Sequence, residues 1–165
     1  MISESLIAEL KQEAIATRKM LELVPLEKSD WKPHEKSMSL GRLTSHVAEL
    51  PTWISYTADQ DELDFKKINY KPFVPKSNSD LLSFFDKNVE NAVKSLENCS
   101  DEDMKKNWTL RSGEQIFFTL PKVGVMRSMN MNHMIHHRGQ LSVYLRLLNI
   151  ALPGVYGPTA DNPMV

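Results

Sequence analysis

Four separate stretches of this chain carry apolar residues at every third or fourth position, and that repeat limits the fold more than any other feature. Each stretch predicts a helix with one apolar stripe, and a stripe of that kind is stable only when it packs against another. The first runs from about Ser3 to Leu23. Leu6, Leu10, Ala14, Thr17, Leu21 and Val24 share a face, and Ile7 and Ile15 widen it. The second follows a loop over Pro25 to Met38, with Ser37 or Ser39 offering its N-cap. Its stripe is Leu40, Leu43, Val47, Leu50 and Ile54, and Pro51 inside it should kink the helix or end it early. The third runs from about Asp80 to Asn98, capped by Ser79 or Asn78, with a broad apolar face that includes Leu81, Phe85, Ala92 and Leu96. The fourth runs from near Pro121 to about Asn149, with Met126, Met129, His133, His137, Leu141, Tyr144 and Leu148 on one side.

The connections are simpler. Asp59 to Ser79 reads as a polar crossing loop with Pro72 and Pro75. Ser100 to Thr119 reads as a small β-hairpin: Trp108-Thr-Leu, then Arg-Ser-Gly, then Glu114-Gln-Ile-Phe-Phe. The tail from Leu152 to Asp161 has too many Pro and Gly to stay helical. The expectation is an all-α four-helix bundle with a hairpin between helices three and four, in a single domain spanning 1–165.

Composition removes several function classes. Twenty basic and 21 acidic side chains give a net charge of −1, without the basic excess of a dedicated nucleic-acid binder. No apolar run approaches the roughly 18 residues of a membrane span, and the charged N-terminus lacks the apolar core of a signal peptide. The lone Cys99 cannot pair within the chain and has no neighbouring cation to activate it, which fits a reducing, cytoplasmic setting.

The chemistry lies in the histidines. His133 and His137 are four residues apart, so they share a helix face one turn apart. They also occupy the apolar stripe and should point inward. His46 lies beside the stripe of the second helix, between Leu43 and Leu50, and can point inward too. Three imidazoles so placed could form a metal site with open coordination positions. They could equally be buried, hydrogen-bonded histidines or a partly exposed cluster. His136 is rotated off the shared face, and His34, beside Pro33, is expected in solvent. The run of Met126, Met129, Met131 and Met134 is expected to pack rather than to ligate.

At these residues the chain resembles the DinB-like family. The resemblance rests on Leu43-Thr-Ser-His46-Val-Ala-Glu-Leu-Pro51, on Trp108-Thr-Leu-Arg111 and Phe118-Thr-Leu-Pro121, on Asn132-His-Met-Ile-His-His-Arg-Gly-Gln-Leu141, and on the tail Gly154-Val-Tyr-Gly-Pro-Thr-Ala-Asp161. It implies a four-helix bundle with a long crossover, a homodimer, and a divalent transition metal, nickel or zinc, held by His46, His133 and His137. Some members of the wider superfamily are metal-dependent thiol transferases that use bacillithiol, mycothiol or glutathione. Others are described as damage-inducible or as hydrolases.

The resemblance therefore implies a metal-dependent thiol transferase or hydrolase, with a low-molecular-weight thiol as a co-substrate. The alternative is a non-catalytic, stress-related metal- or ligand-binding protein. Met134 stands where a helical zinc protease would carry its glutamate, which argues against peptidase chemistry. Glu49, one turn after His46, is expected at the solvated helix surface, with a contact to His46 as the alternative. Gln140 could orient a ligand or meet helix two. Arg138 could bind a carboxylate or stabilise the fold. Tyr144, Trp53, Trp108 and Tyr156 are expected mainly in packing.

Overall fold

A computed structural model describes residues 1–163. Helix α1 spans Ile2–Glu22, α2 Leu40–Glu49, α3 Pro51–Asp59, α4 Asn78–Glu97, α5 Asp101–Lys105, α6 Lys122–Val125 and α7 Asn132–Leu147. A π-helical segment, Met126–Met131, joins α6 to α7. Strands β1 (Glu62–Asp64), β2 (Asn107–Ser112) and β3 (Gln115–Pro121) form one sheet in that order.

Local chemistry explains most boundaries. Ser39 Oγ accepts the amide of Arg42 and starts α2. Pro51 occupies the first turn of α3, where its missing N–H costs nothing, so the predicted interruption is a break between two helices at Leu50. The cap of α4 is Ser77, whose Oγ accepts the amide of Asp80, in place of the expected Asn78 or Ser79. All three residues of Ser-Asn-Ser can cap, and the choice is made by Asn78, whose side chain donates to the Val24 carbonyl at the end of α1. At the other end, Asn149 takes the left-handed conformation (φ 60°). The amides of Asn149 and Ile150 then reach the carbonyls of Arg146 and Leu145, a Schellman stop for α7.

Helix α1 packs on α4 and α7, and α2 packs on the same two helices. One half of the core joins Leu21, Leu40, Leu43, Val47, Phe85 and Leu141. The other joins Leu10, Leu50, Leu96, Met104, Met131 and Met134. Ile15 does not widen the α1 stripe: it is 55% exposed, because the buried face widens on the opposite flank, through Glu13 and Met20.

The hairpin is part of a larger unit. β2 pairs antiparallel with β3 and parallel with β1, so the stretch read as a loop contributes a strand. Asp64 fixes the join: its Oδ1 accepts the amides of Gly113 and Lys66, both at 2.9 Å. Gly113 turns the hairpin at φ +59°, a backbone region that favours glycine. Leu63, Trp108, Leu110 and Val125 form the sheet's own apolar cluster. The chain is therefore mostly helical with a three-stranded mixed sheet. Among the described residues no helix is long and apolar enough to cross a membrane.

Candidate metal centre

His46 comes from the last turn of α2, and His133 and His137 come from successive turns of α7. Because α2 and α7 pack face to face, the three rings meet. His46 Nε2 lies 3.4 Å from His133 Nε2, and His133 Nε2 lies 2.8 Å from His137 Nε2. All three offer ligand atoms within 4.8 Å of one another. His137 is buried, and the other two are half-buried. Nitrogens bound to one ion at about 2.05 Å would stand about 2.9 Å apart at right angles and about 3.3 Å apart in a tetrahedron, by geometry from typical bond lengths. The two observed separations, 2.8 and 3.4 Å, lie within about 0.1 Å of those two values.

The outer nitrogens explain which way the rings face. His133 Nδ1 lies 3.2 Å from the Met129 carbonyl, which can only accept, so Nδ1 carries the proton. His137 Nδ1 lies 2.7 Å from the Gln140 amide oxygen and is protonated in the same way. His46 Nδ1 sits 4.0 Å from Glu49 Oε2, an electrostatic contact too long for a direct hydrogen bond. The His133 and His137 rings are thus held from outside at Nδ1 with Nε2 turned inward, and His46 Nε2 faces them. Two lone pairs 2.8 Å apart repel unless a metal ion or a proton sits between them.

Burial favours the neutral form of His133 and His137, the form a metal ligand must take. Burial lowers His133, and the neighbouring His46 and His136 lower it further against the Met129 carbonyl. Burial likewise takes His137 down to about 4, despite the Gln140 contact.

Glu49 does not sit at the solvated helix surface that its sequence position predicts. It is buried rather than solvated, because the segment after β1 folds over it. Its Oε2 accepts the Tyr70 hydroxyl at 2.7 Å, its Oε1 accepts the Phe73 amide at 2.8 Å, and Arg42 lies 3.4 Å away. Burial pushes the carboxyl up, but His46, Phe73, Tyr70 and Arg42 together hold it below its ordinary value. Burial and Glu49 push the Tyr70 phenol up to about 12, so it stays a donor. The signal in sequence was only the i,i+3 spacing to His46; Tyr70 and Phe73 lie more than twenty residues away and gave none.

The remaining candidates separate cleanly. His136 is exposed beside His137, and His34 is exposed in its loop, where Nδ1 accepts the Lys36 amide. Gln140 orients His137. Arg138 faces away from the triad and is committed to α1: it pairs with Glu13 at 2.6 Å and donates to Thr17 and Tyr156. The Tyr144 hydroxyl donates to the Met38 carbonyl, and Trp108 is fully buried in the sheet cluster. Trp53 packs in the core and also lines a cleft that begins at His46. Met126, Met131 and Met134 are buried packing residues. Burial raises the thiol of Cys99, in keeping with an unreactive side chain.

Comparison with known proteins gives a consistent result. The model of the DinB family matches residues 1–163. The uncharacterized protein YrdA of Bacillus subtilis strain 168 is 26% identical over 152 residues, which is 90% of this chain and 84% of YrdA. A DinB-like protein of Bacillus cereus ATCC 10987 superposes with a TM-score of 0.70 at 26% identity, covering 93% of this chain and 97% of that one. A second, YjoA of Bacillus subtilis, superposes with a TM-score of 0.69 at 17% identity over 98% and 99% of the two chains; at that identity it speaks to the fold alone.

Proposed function

The chain belongs to the DinB family, and from that premise we propose that it binds one divalent transition ion, nickel or zinc, through the Nε2 atoms of His46, His133 and His137 and acts as a metal-dependent thiol transferase or hydrolase. The convergence of three Nε2 atoms, two on rings held at Nδ1 from outside and the third on a ring that Glu49 faces, carries the reading. When bound, a divalent ion supplies positive charge that favours the deprotonated form of a water or a thiol at neutral pH.

The chain's own residues do the rest. Met129 and Gln140 fix two imidazoles with Nε2 bare, and Glu49 faces the third. Such outer partners set ring orientation and basicity. Three protein ligands leave room for a reactant. His46 also lines the neighbouring cleft, which gives that reactant a route. No carboxylate follows His133 in the position of a protease base, so peptide hydrolysis stays outside the reading.

The test is a thiol with a model electrophile, added to nickel- or zinc-loaded protein. Conjugation that needs both the metal and the thiol supports the transferase; ester hydrolysis without thiol supports the hydrolase. Neither activity in fully loaded protein would leave a metal-binding protein without catalysis. The reading also includes a homodimer. Val143 and Leu147, four residues apart on α7 and each more than half exposed, support it; sedimentation equilibrium at micromolar concentration checks it.

A further inference from the structure

A cleft of about 680 Å3 opens beside His46. Its size is that of a small-molecule site. Two aromatic groups line it. Phe73 and Phe84 stack with ring centroids 3.9 Å apart, and Trp53 meets Phe65 edge-on at 6.1 Å. Phe65 touches Phe117 in turn, and these two rings are 40% and 48% exposed. Water therefore wets apolar rings at the mouth, an arrangement that burial under a ligand would relieve.

The charged residues in the wall are Arg42, Lys71 and Glu49, beside His46. Glu49 is already compensated by Arg42, Tyr70 and the Phe73 amide. Arg42 gives one N–H to Glu49 and one to Tyr70, and a guanidinium has others to spare. Lys71 is exposed and has no ion-pair partner among the described residues. The wall thus holds one positive charge more than it neutralises, between aromatic surfaces.

We propose that this cleft binds a small molecule with a flat aromatic body and one carboxylate, the body against Trp53, Phe65 and Phe84 and the carboxylate towards Lys71 and Arg42. The proposal names the substrate class for the reading above and rests on that reading only for what happens next to His46; binding itself needs no metal. A cationic ligand would face uncompensated like charge, and a neutral one would leave Lys71 and the spare donors of Arg42 unused.

Isothermal titration calorimetry tests it with three probes of one shape: 2-naphthoate, 2-naphthalenemethanol and 2-naphthylmethylamine. The naphthoate should bind about tenfold more tightly than the alcohol, a factor typical of a charge-assisted contact, and the amine should bind worst. Lys71→Glu, at an exposed position, should remove most of that preference without unfolding the chain. Phe65→Ala should weaken the naphthoate and the alcohol together. Equal affinity for the acid and the alcohol, no binding of the acid, or an unchanged preference in Lys71→Glu would overturn the proposal. The same titrations on His133→Ala/His137→Ala protein keep the two readings apart. A carboxylate preference that persists there belongs to the cleft whatever the metal analysis gives. One that appears only with bound metal belongs to the ion, and the cleft assignment falls.

Discussion

Two neighbours in sequence, His137 and Arg138, lead into two polar clusters on different faces of α7. The Arg138 cluster is closed. Its guanidinium pairs with Glu13, donates to Thr17 and the Glu13 carbonyl, and meets the Tyr156 hydroxyl, which donates to Glu13 in turn. Donors and acceptors match, and opposite charges meet. The His137 cluster is open. Two of its outer nitrogens are matched, to Met129 and Gln140, the third faces Glu49 at 4.0 Å, and its inner nitrogens face one another. A polar group buried for stability finds its partner within the chain, because an unmatched one costs about 1–3 kcal/mol. The open cluster is matched at the Met129 and Gln140 contacts and unmatched where its inner nitrogens meet, which is the point the proposed ion would complete.

The comparison can be broken at either end. The largest effect should come from the closed cluster. Arg138→Met strands the Glu13 carboxylate, with both side chains less than a tenth exposed, and should cost about 3–5 kcal/mol in urea denaturation. Replacing both partners, Glu13→Leu with Arg138→Met, should recover most of that loss. Folded protein of either kind should keep its metal.

The open cluster should respond to metal instead. Free ion at a hundred times its dissociation constant should stabilise the wild type by about 2.7 kcal/mol. His133→Ala should abolish that gain, as a thermal melt with and without metal will show. Acid should reach the same cluster. The folded pKa of His137 lies below its unfolded value, so between about 6.5 and 4 the unfolded chain holds a proton that the folded chain does not. Stability of the metal-free protein should therefore be full above that window and fall as the pH drops through it, and bound metal should be released over the same range.

Smaller effects sharpen the edges. Glu49→Gln keeps a carbonyl for Phe73 but loses the charge facing His46, and should weaken metal binding about tenfold in a competition assay, within the range for outer partners of ligands. His136→Ala, at an exposed position, should leave metal content unchanged and alter stability by no more than about 0.5 kcal/mol.

Two members of the triad were legible together because their information is local, whereas His46, 87 residues before His133, could be placed only against its own helix stripe. His133 and His137 both lie in α7, after the π segment, so their spacing keeps its helical meaning. The stripe drawn through Met126 and Met129 crosses that segment and drifts: Met131, Met134 and Asn130 are buried, whereas Met129 is only half-buried against the sheet. β1 stayed hidden because Glu-Leu-Asp is too short and polar to show alternation, and it exists only through pairing with β2 and the Asp64 contacts. Glu49 stayed hidden for a similar reason, since the segment that buries it is distant in sequence. Short-range periodicity could be read; burial imposed by remote segments could not.

The most direct test of the open cluster is elemental analysis of untagged protein, wild type beside His133→Ala/His137→Ala. The account predicts about one nickel, zinc or similar ion per wild-type chain and none in the variant. A wild type that holds no metal after reloading and dialysis would contradict it. The inner nitrogens would then share a proton, His137 Nε2 donating to His133 Nε2 across 2.8 Å with the Gln140 amide turned around, and the cluster would be as closed as its neighbour.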